Sequence, residues 1–114
     1  MTSTILPRTA DYEVRLTSEH ETLRHTIRDF AEKEIRPLAS GIDRKNQIPR
    51  DLINQIAKLG VTAITYKEEY GGLGADLLSM VIAIEELARV SAACSTVFVA
   101  SHLVSEPISV GLLT

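Results

Sequence analysis

Apolar residues return every three or four positions along most of this chain, and that period constrains its fold more than any other feature. Leu23, Ile27, Phe30, Ala31 and Ile35 make one stripe, and Leu52, Ile53, Ile56, Ala57 and Leu59 make another. The spacing puts each set on one face of an α-helix, which then needs a surface to pack against. Ser18 with Glu21 three residues on has the pattern of a capping box, so the first helix is predicted to start there. Pro37 lacks an amide N–H and its ring crowds the preceding turn, so that helix is expected to kink or end at it. Leu38 and Ile42 can extend the stripe by a further turn, which Gly41 weakens.

Pro49 suits the first turn of a second helix, and Gly60 suits a left-handed stop after it. Residues 61–65, VTAIT, are rich in β-branched side chains and are predicted to be extended. Asp76 has the short acceptor side chain of an N-cap. The segment LLSMVIAIEELARV that follows is apolar nearly all round in its first half, the pattern of a helix buried inside a domain or between domains. A fourth helix is predicted over roughly residues 92–104, with Pro107 ending it or starting the next. Residues 1–16 read as an extended or frayed lead-in to a single domain over 17–114. The expected fold class is all-α, a bundle-like domain of about four or five helices.

The totals narrow the function. A chain of 114 residues makes about one domain, able to bury roughly two-thirds of its unfolded surface. Aromatics are only 4% with no Trp, which argues against a stacking platform for single-stranded nucleic acid. The net charge of −3 leaves no basic face for a phosphate backbone. Cys94 is the one cysteine, so no intramolecular disulfide forms and a reducing compartment is expected. The N-terminus has no long apolar stretch, and Asp11 and Glu13 run against a transit peptide. No uninterrupted apolar run approaches the ~20 residues that span a bilayer. The expected address is cytoplasmic, with no membrane, nucleic-acid or metal partner.

The stretch YKEEYGGLGADLLS, residues 66–79, gathers three glycines beside acids. Glycines before a helix can cradle phosphate. Here the G-x-G-x-x-G pattern fails at Leu77, no Gly-Lys-Ser/Thr follows, and Glu68, Glu69 and Asp76 repel a phosphate. The loop is therefore read as a shaped turn between two helices. Glu85 and Glu86 are adjacent and point to different sides of a helix, so they are no acid–base pair, and Glu85 is expected to pair with Arg89 four residues on. His20, His25 and His102 are scattered, without metal-ligand spacing. Cys94 reads as a small buried hydrophobe. Ser91, Ser95, Ser101 and Ser105 show no nucleophile elbow. On the fourth helix, Ser95, Thr96, Val99, Ala100 and Leu103 share a face. Periodicity favours close helix packing there, and the alternative is a wall against an apolar ligand.

Taken together, the run IPRDLINQIAKLGVTAITYKEEYGGLGADLLSMVIAIEELARV resembles the N-terminal part of the acyl-CoA dehydrogenases. The family's landmarks are met by Ile48–Pro49, Leu59–Gly60, Glu68-Glu69-Tyr70-Gly71-Gly72, Gly74 and Glu85-Glu86-Leu87-Ala88-Arg89. LRHTIRDFAEKEIRPLASGIDR resembles the family's first helix, with Phe30-Ala31, Glu34, Pro37 and Asp43 in register. The likeness covers roughly residues 13–114. Ala63 stands where the family usually has Gly, Tyr66–Lys67 where an apolar residue and Pro are common, and Ile48 where Phe is common.

The resemblance implies an FAD-dependent enzyme of helical, β and helical domains, of which this chain carries the first. In that reaction a carboxylate takes a proton from Cα of the acyl-CoA while a hydride leaves Cβ for the flavin. By resemblance the catalytic glutamate lies beyond residue 114, so no catalytic residue is expected here, and no cofactor-binding residue is assigned. FAD and acyl-CoA are expected partners of the full enzyme, with FAD not bound by this chain alone. Carried over by position, Ser95, Thr96, Val99, Ala100 and Leu103 become acyl-pocket wall residues. The chain is expected to be inert alone, to supply interdomain or subunit contacts, and to self-associate through apolar surface left uncovered. The alternative expectation is a free-standing helical binding or assembly module. Acyl-CoA oxidases, nitroalkane oxidases and some flavin monooxygenases resemble the same helices, and nothing in these residues separates the branches.

Overall fold

The structure, a computed structural model, describes residues 14–112. Among them it is all-α: α1 (Ser18–Phe30), a π turn (Ala31–Ile35), α2 (Arg36–Lys45), α3 (Arg50–Lys58), α4 (Leu77–Ala88) and α5 (Ala92–Leu112), with single 3-10 turns at Val61–Ala63 and Glu68–Tyr70. The expected helical fold class is met. Most of the predicted lead-in, residues 1–13, lies outside the described residues.

The first helix starts at Ser18 as predicted, but its cap is Thr17, one residue before the predicted one. The Thr17 hydroxyl accepts from the His20 backbone N–H at 3.2 Å, and the His20 ring accepts from the Thr17 N–H at 3.1 Å. The reciprocal partner is thus His20, and Glu21 is not part of the cap. Pro37 neither ends the helix nor stops α2. A π turn precedes it, with the Arg36 N–H reaching back to the Ala31 carbonyl, and Pro37 falls in the first turn of α2 where an N–H is not needed. The helix then runs to Lys45 and is closed by Asn46 at φ 55°. Gly60, at φ 86°, is the left-handed stop after α3 that its position predicted.

Residues 61–65 are not extended. Val61–Ala63 form a 3-10 turn that buries Val61 and Ile64, and among the described residues there is no strand to pair with them. The core runs through Ile27, Ala31 and Ile35 of the first helix, Leu52 and Ile56 of α3, Ala83 and Leu87 of α4, and Cys94 and Phe98 of α5. Cys94 is buried, as its neighbours suggested. α4 packs between α1 and α5. Its first half is not buried all round, for Leu77 and Val81 are exposed. α5 continues through Pro107 to Leu112 rather than ending there. Over Ala92–Gly111 it is long and apolar enough, by length and composition, to cross a membrane. The sequence missed this by taking Pro107 as a break. Its inner face, however, lies in the core at Cys94, Phe98 and His102.

Candidate functional site

Three places concentrate polar or unusual geometry: the glycine loop, a buried carboxylate, and the face of α5. The glycine loop folds onto its own first half. Gly72 N–H donates to the Lys67 carbonyl (3.1 Å), Leu73 to Ala63 (3.2 Å), Gly74 to Tyr66 (2.8 Å) and Ala75 to Ile64 (2.8 Å). Gly71 and Gly74 have φ of 85° and 62°. An added Cβ at Gly72 would lie 2.2 Å from the Tyr66 carbonyl oxygen. The amides of all three glycines are spent inside the loop, since Gly71 donates to Glu68 at 2.9 Å. A pyrophosphate cradle is built from free amides, and here the glycine amides are spent, beside Glu68, Glu69 and Asp76, so this loop does not fit it. The loop is a turn.

Where the loop enters α4, Asp76 caps the helix. Its Oδ1 accepts from the Ser79 N–H at 2.8 Å and the Ser79 hydroxyl at 2.7 Å. His20 Nε2 lies 3.0 Å from both Asp76 oxygens. The network assigns the tautomer: Nδ1 accepts at Thr17 and Nε2–H donates to Asp76. The Ser79 hydroxyl and amide, then His20, hold the Asp76 carboxyl down at about 2. One imidazole thereby links the caps of α1 and α4.

Glu86, not Glu85, is the acid that matters in the pair. It is fully buried and accepts from Arg28 Nε and Nη2 at 3.0 and 2.9 Å, and from Arg89 Nη1 at 2.9 Å. Arg24 Nε stands 3.7 Å away. The Arg28 hydrogen bonds, and after them Arg89, hold its carboxyl below the usual glutamate range. The expected Glu85–Arg89 pair is replaced by this cluster, which ties α1 to α4. Sequence alone could not choose between adjacent glutamates, because Arg28 reaches Glu86 from 58 residues away. Among the described residues no group of three His, Cys, Asp or Glu could hold a metal ion.

On α5, the five residues singled out from the sequence do not share one environment. Ser95 is buried, with its hydroxyl donating to the Ile84 carbonyl of α4 at 3.3 Å. Val99 is half-buried against the core. Thr96, Ala100 and Leu103 are exposed along one outer strip with Val97, Val104 and Ile108. The Thr96 hydroxyl is satisfied by the Ala92 carbonyl at 2.8 Å. The one Asp, Glu, Lys or Arg in α5 is Glu106, and it accepts from Thr65 at 3.1 Å on the side facing the loop. The outer strip is therefore uncharged along its length.

A sequence profile of the acyl-CoA dehydrogenase N-terminal domain matches residues 17–111. The chain is 40% identical over 78 residues to a short-chain specific acyl-CoA dehydrogenase of Clostridium acetobutylicum, covering 68% of this chain and 21% of that protein. It is 39% identical over 84 residues to the mouse mitochondrial short-chain specific acyl-CoA dehydrogenase, covering 74% and 20%. In three dimensions it superposes on butyryl-CoA dehydrogenase from Megasphaera elsdenii with a TM-score of 0.77 and 32% identity, over 85% of this chain and 26% of that one. The chain thus spans about a fifth of the length of the curated relatives it matches. Cap, buried carboxylate, glycine turn and the fold that joins them all lie within the matched residues, and the chain belongs to the acyl-CoA dehydrogenase family, whose N-terminal helical domain it comprises.

Proposed function

We propose that this chain serves an FAD-dependent acyl-CoA dehydrogenase-type oxidoreductase as one wall of its acyl pocket and as an interdomain or subunit contact. The observation that carries the reading is the outer strip of α5, exposed and uncharged from Thr96 to Ile108. An apolar chain needs such a surface, and a hydrophobic strip left in water is otherwise costly. In this reading Thr96, Val99, Ala100 and Leu103 face the acyl chain, and Ser95 fixes the strip from behind by tying α5 to α4. The substrate class is an acyl-CoA thioester undergoing α,β-dehydrogenation in the cytoplasm. The base and the flavin contacts come from polypeptide beyond the matched domain, so the chain is inert alone.

The test has two arms. Purified chain is titrated with FAD and then given butyryl-CoA and an electron acceptor; the expected result is neither stoichiometric flavin binding nor turnover, and either one overturns the reading. The chain is also grafted in place of the matching segment of the Megasphaera elsdenii butyryl-CoA dehydrogenase. The chimera is expected to retain flavin and activity, and Ala100→Phe in it to lower kcat/KM by at least about tenfold with flavin retained. Undiminished activity in that variant removes the wall assignment.

The same strip supports a second reading, a free-standing module that uses it to associate. The two readings diverge in the chimera, where a strip used only for association leaves kcat/KM unmoved by Ala100→Phe.

A further inference from the structure

Pro107 lies inside α5 and has no N–H, so the Leu103 carbonyl, four residues back, is without its helical donor. The helix nonetheless runs on to Leu112. The glycine loop meets α5 within that weakened turn. Tyr66 O–H donates to the Ser105 hydroxyl, which donates in turn to the Ser101 carbonyl, and Thr65 donates to Glu106 at 3.1 Å. Just before it, the Tyr66 ring lies against His102, with centroids 5.7 Å apart. A cleft of about 300 Å³ opens beside these contacts, so hydroxyls rather than dense packing join loop and helix here. We propose that Tyr66 is a positioning residue: it splints α5 at Pro107, fixes Leu103 and Ile108 of the outer strip, and so sets the acyl-chain length that the wall accepts. The inference rests on the reading of that strip as an acyl wall.

Tyr66 is itself held. Its N–H donates to the Ala63 carbonyl at 3.2 Å, and its carbonyl accepts from Gly74 at 2.8 Å, so the glycine turn fixes the backbone from which its side chain reaches α5. Burial, and then the nearby Glu106, push the Tyr66 phenol above its ordinary value, so the O–H remains a donor. His102 is buried between Tyr66 and Phe98, its ring 4.9 Å from that of Phe98, and neither of its ring nitrogens has a hydrogen-bond partner. It therefore gives the turn a ring contact and no anchoring bond, which leaves that part to the hydroxyls of Tyr66 and Thr65. On the outer side, Leu103 and Ile108 are exposed, so the backbone beneath them and not side-chain packing sets where they stand. Tyr66 occupies a position where an apolar residue is common among the acyl-CoA dehydrogenases, and an apolar side chain has no hydroxyl to donate.

Two measurements test this. Amide hydrogen exchange of the purified chain, at one fixed concentration, reads the splint. Tyr66→Phe keeps the ring and removes only the O–H, and exchange at residues 108–111 is expected to quicken about three- to tenfold with α1 and α4 unchanged. In a Ser105→Ala background the same substitution is expected to add nothing, because its acceptor is gone. Unchanged or uniformly quickened exchange, or an equal effect in the Ser105→Ala background, overturns the splint. The chimera with the Megasphaera elsdenii enzyme reads the consequence. There Tyr66→Phe is expected to raise kcat/KM for hexanoyl-CoA relative to butyryl-CoA by at least about threefold, through KM, with kcat and flavin content unchanged. An unmoved ratio overturns the inference. Ala100→Phe in the same chimera separates that failure from failure of the wall itself, since it lowers kcat/KM only where the wall stands.

Discussion

Single residues decide this fold where backbones come closest. Gly72 is the sharpest case: a methyl group there meets the Tyr66 carbonyl at 2.2 Å, and the atom it strikes is backbone that also accepts from Gly74. Neither partner can move without opening the loop. Gly41 is the opposite, a helical glycine of α2 with nothing within 4 Å of its missing Cβ. Gly41→Ala is expected to raise stability by about 0.5–1 kcal/mol, through lower entropy of the unfolded chain and better helix propensity. Gly72→Ala is expected to lower it by about 2 kcal/mol or more, from overpacking against a fixed neighbour. Urea unfolding of both variants measures this pair; equal effects would mean that the loop is not held as described. The glycines were legible as a turn from composition, but which of them tolerates no side chain was not. That depends on the 2.8 Å bond from Gly74 to Tyr66, a product of how the loop folds back.

At the scale of elements, caps and periodicity located the helices well, and the errors cluster where two elements meet. The cap of α1 shifted to Thr17 because His20 serves two helices at once, accepting at Thr17 and donating to Asp76. This bridge predicts an acid limb. The Asp76 carboxyl sits at about 2 in the fold against 3.8 ordinarily, so the unfolded chain takes up the proton first. Its contribution to stability is whole above about pH 4 and is lost as pH falls toward 2. Asp76→Asn keeps a capping side chain but removes the titration. Acid unfolding followed by circular dichroism is expected to show a shallower loss for that variant between pH 4 and pH 2 than for the unaltered chain. Coincident limbs would contradict the assignment. The two prolines behave differently. Pro37 is absorbed by the π turn before it, and Pro107 lies on a stretch of α5 whose neighbours Leu103 and Val104 are exposed, so a carbonyl freed there can reach water.

For the molecule as a whole, the outer strip of α5 and the exposed Leu77 and Val81 of α4 dominate the expected behaviour in solution. A net charge of −3 gives weak repulsion between copies. The isolated chain is expected to show a mass that rises with concentration in the micromolar range by light scattering, and Leu103→Lys, at a position 72% exposed, to move it toward monomer. A constant monomer mass would count against both uncovered surface and self-association. The candidate wall was partly legible: i, i+4, i+7 spacing put Thr96, Ala100 and Leu103 on one strip, but it could not show that Ser95 turns inward to α4. Sequence by itself determined the helical period, the left-handed stop at Gly60, the cap at Asp76 and the family likeness, because each rests on neighbours within a turn or two of chain. Only the tertiary structure decided that Glu86 rather than Glu85 is buried among arginines, that 61–63 coil rather than extend, and that the helices pass through Pro37 and Pro107. Those outcomes depend on partners tens of residues away and on which carbonyls water can reach, and local pattern carries neither.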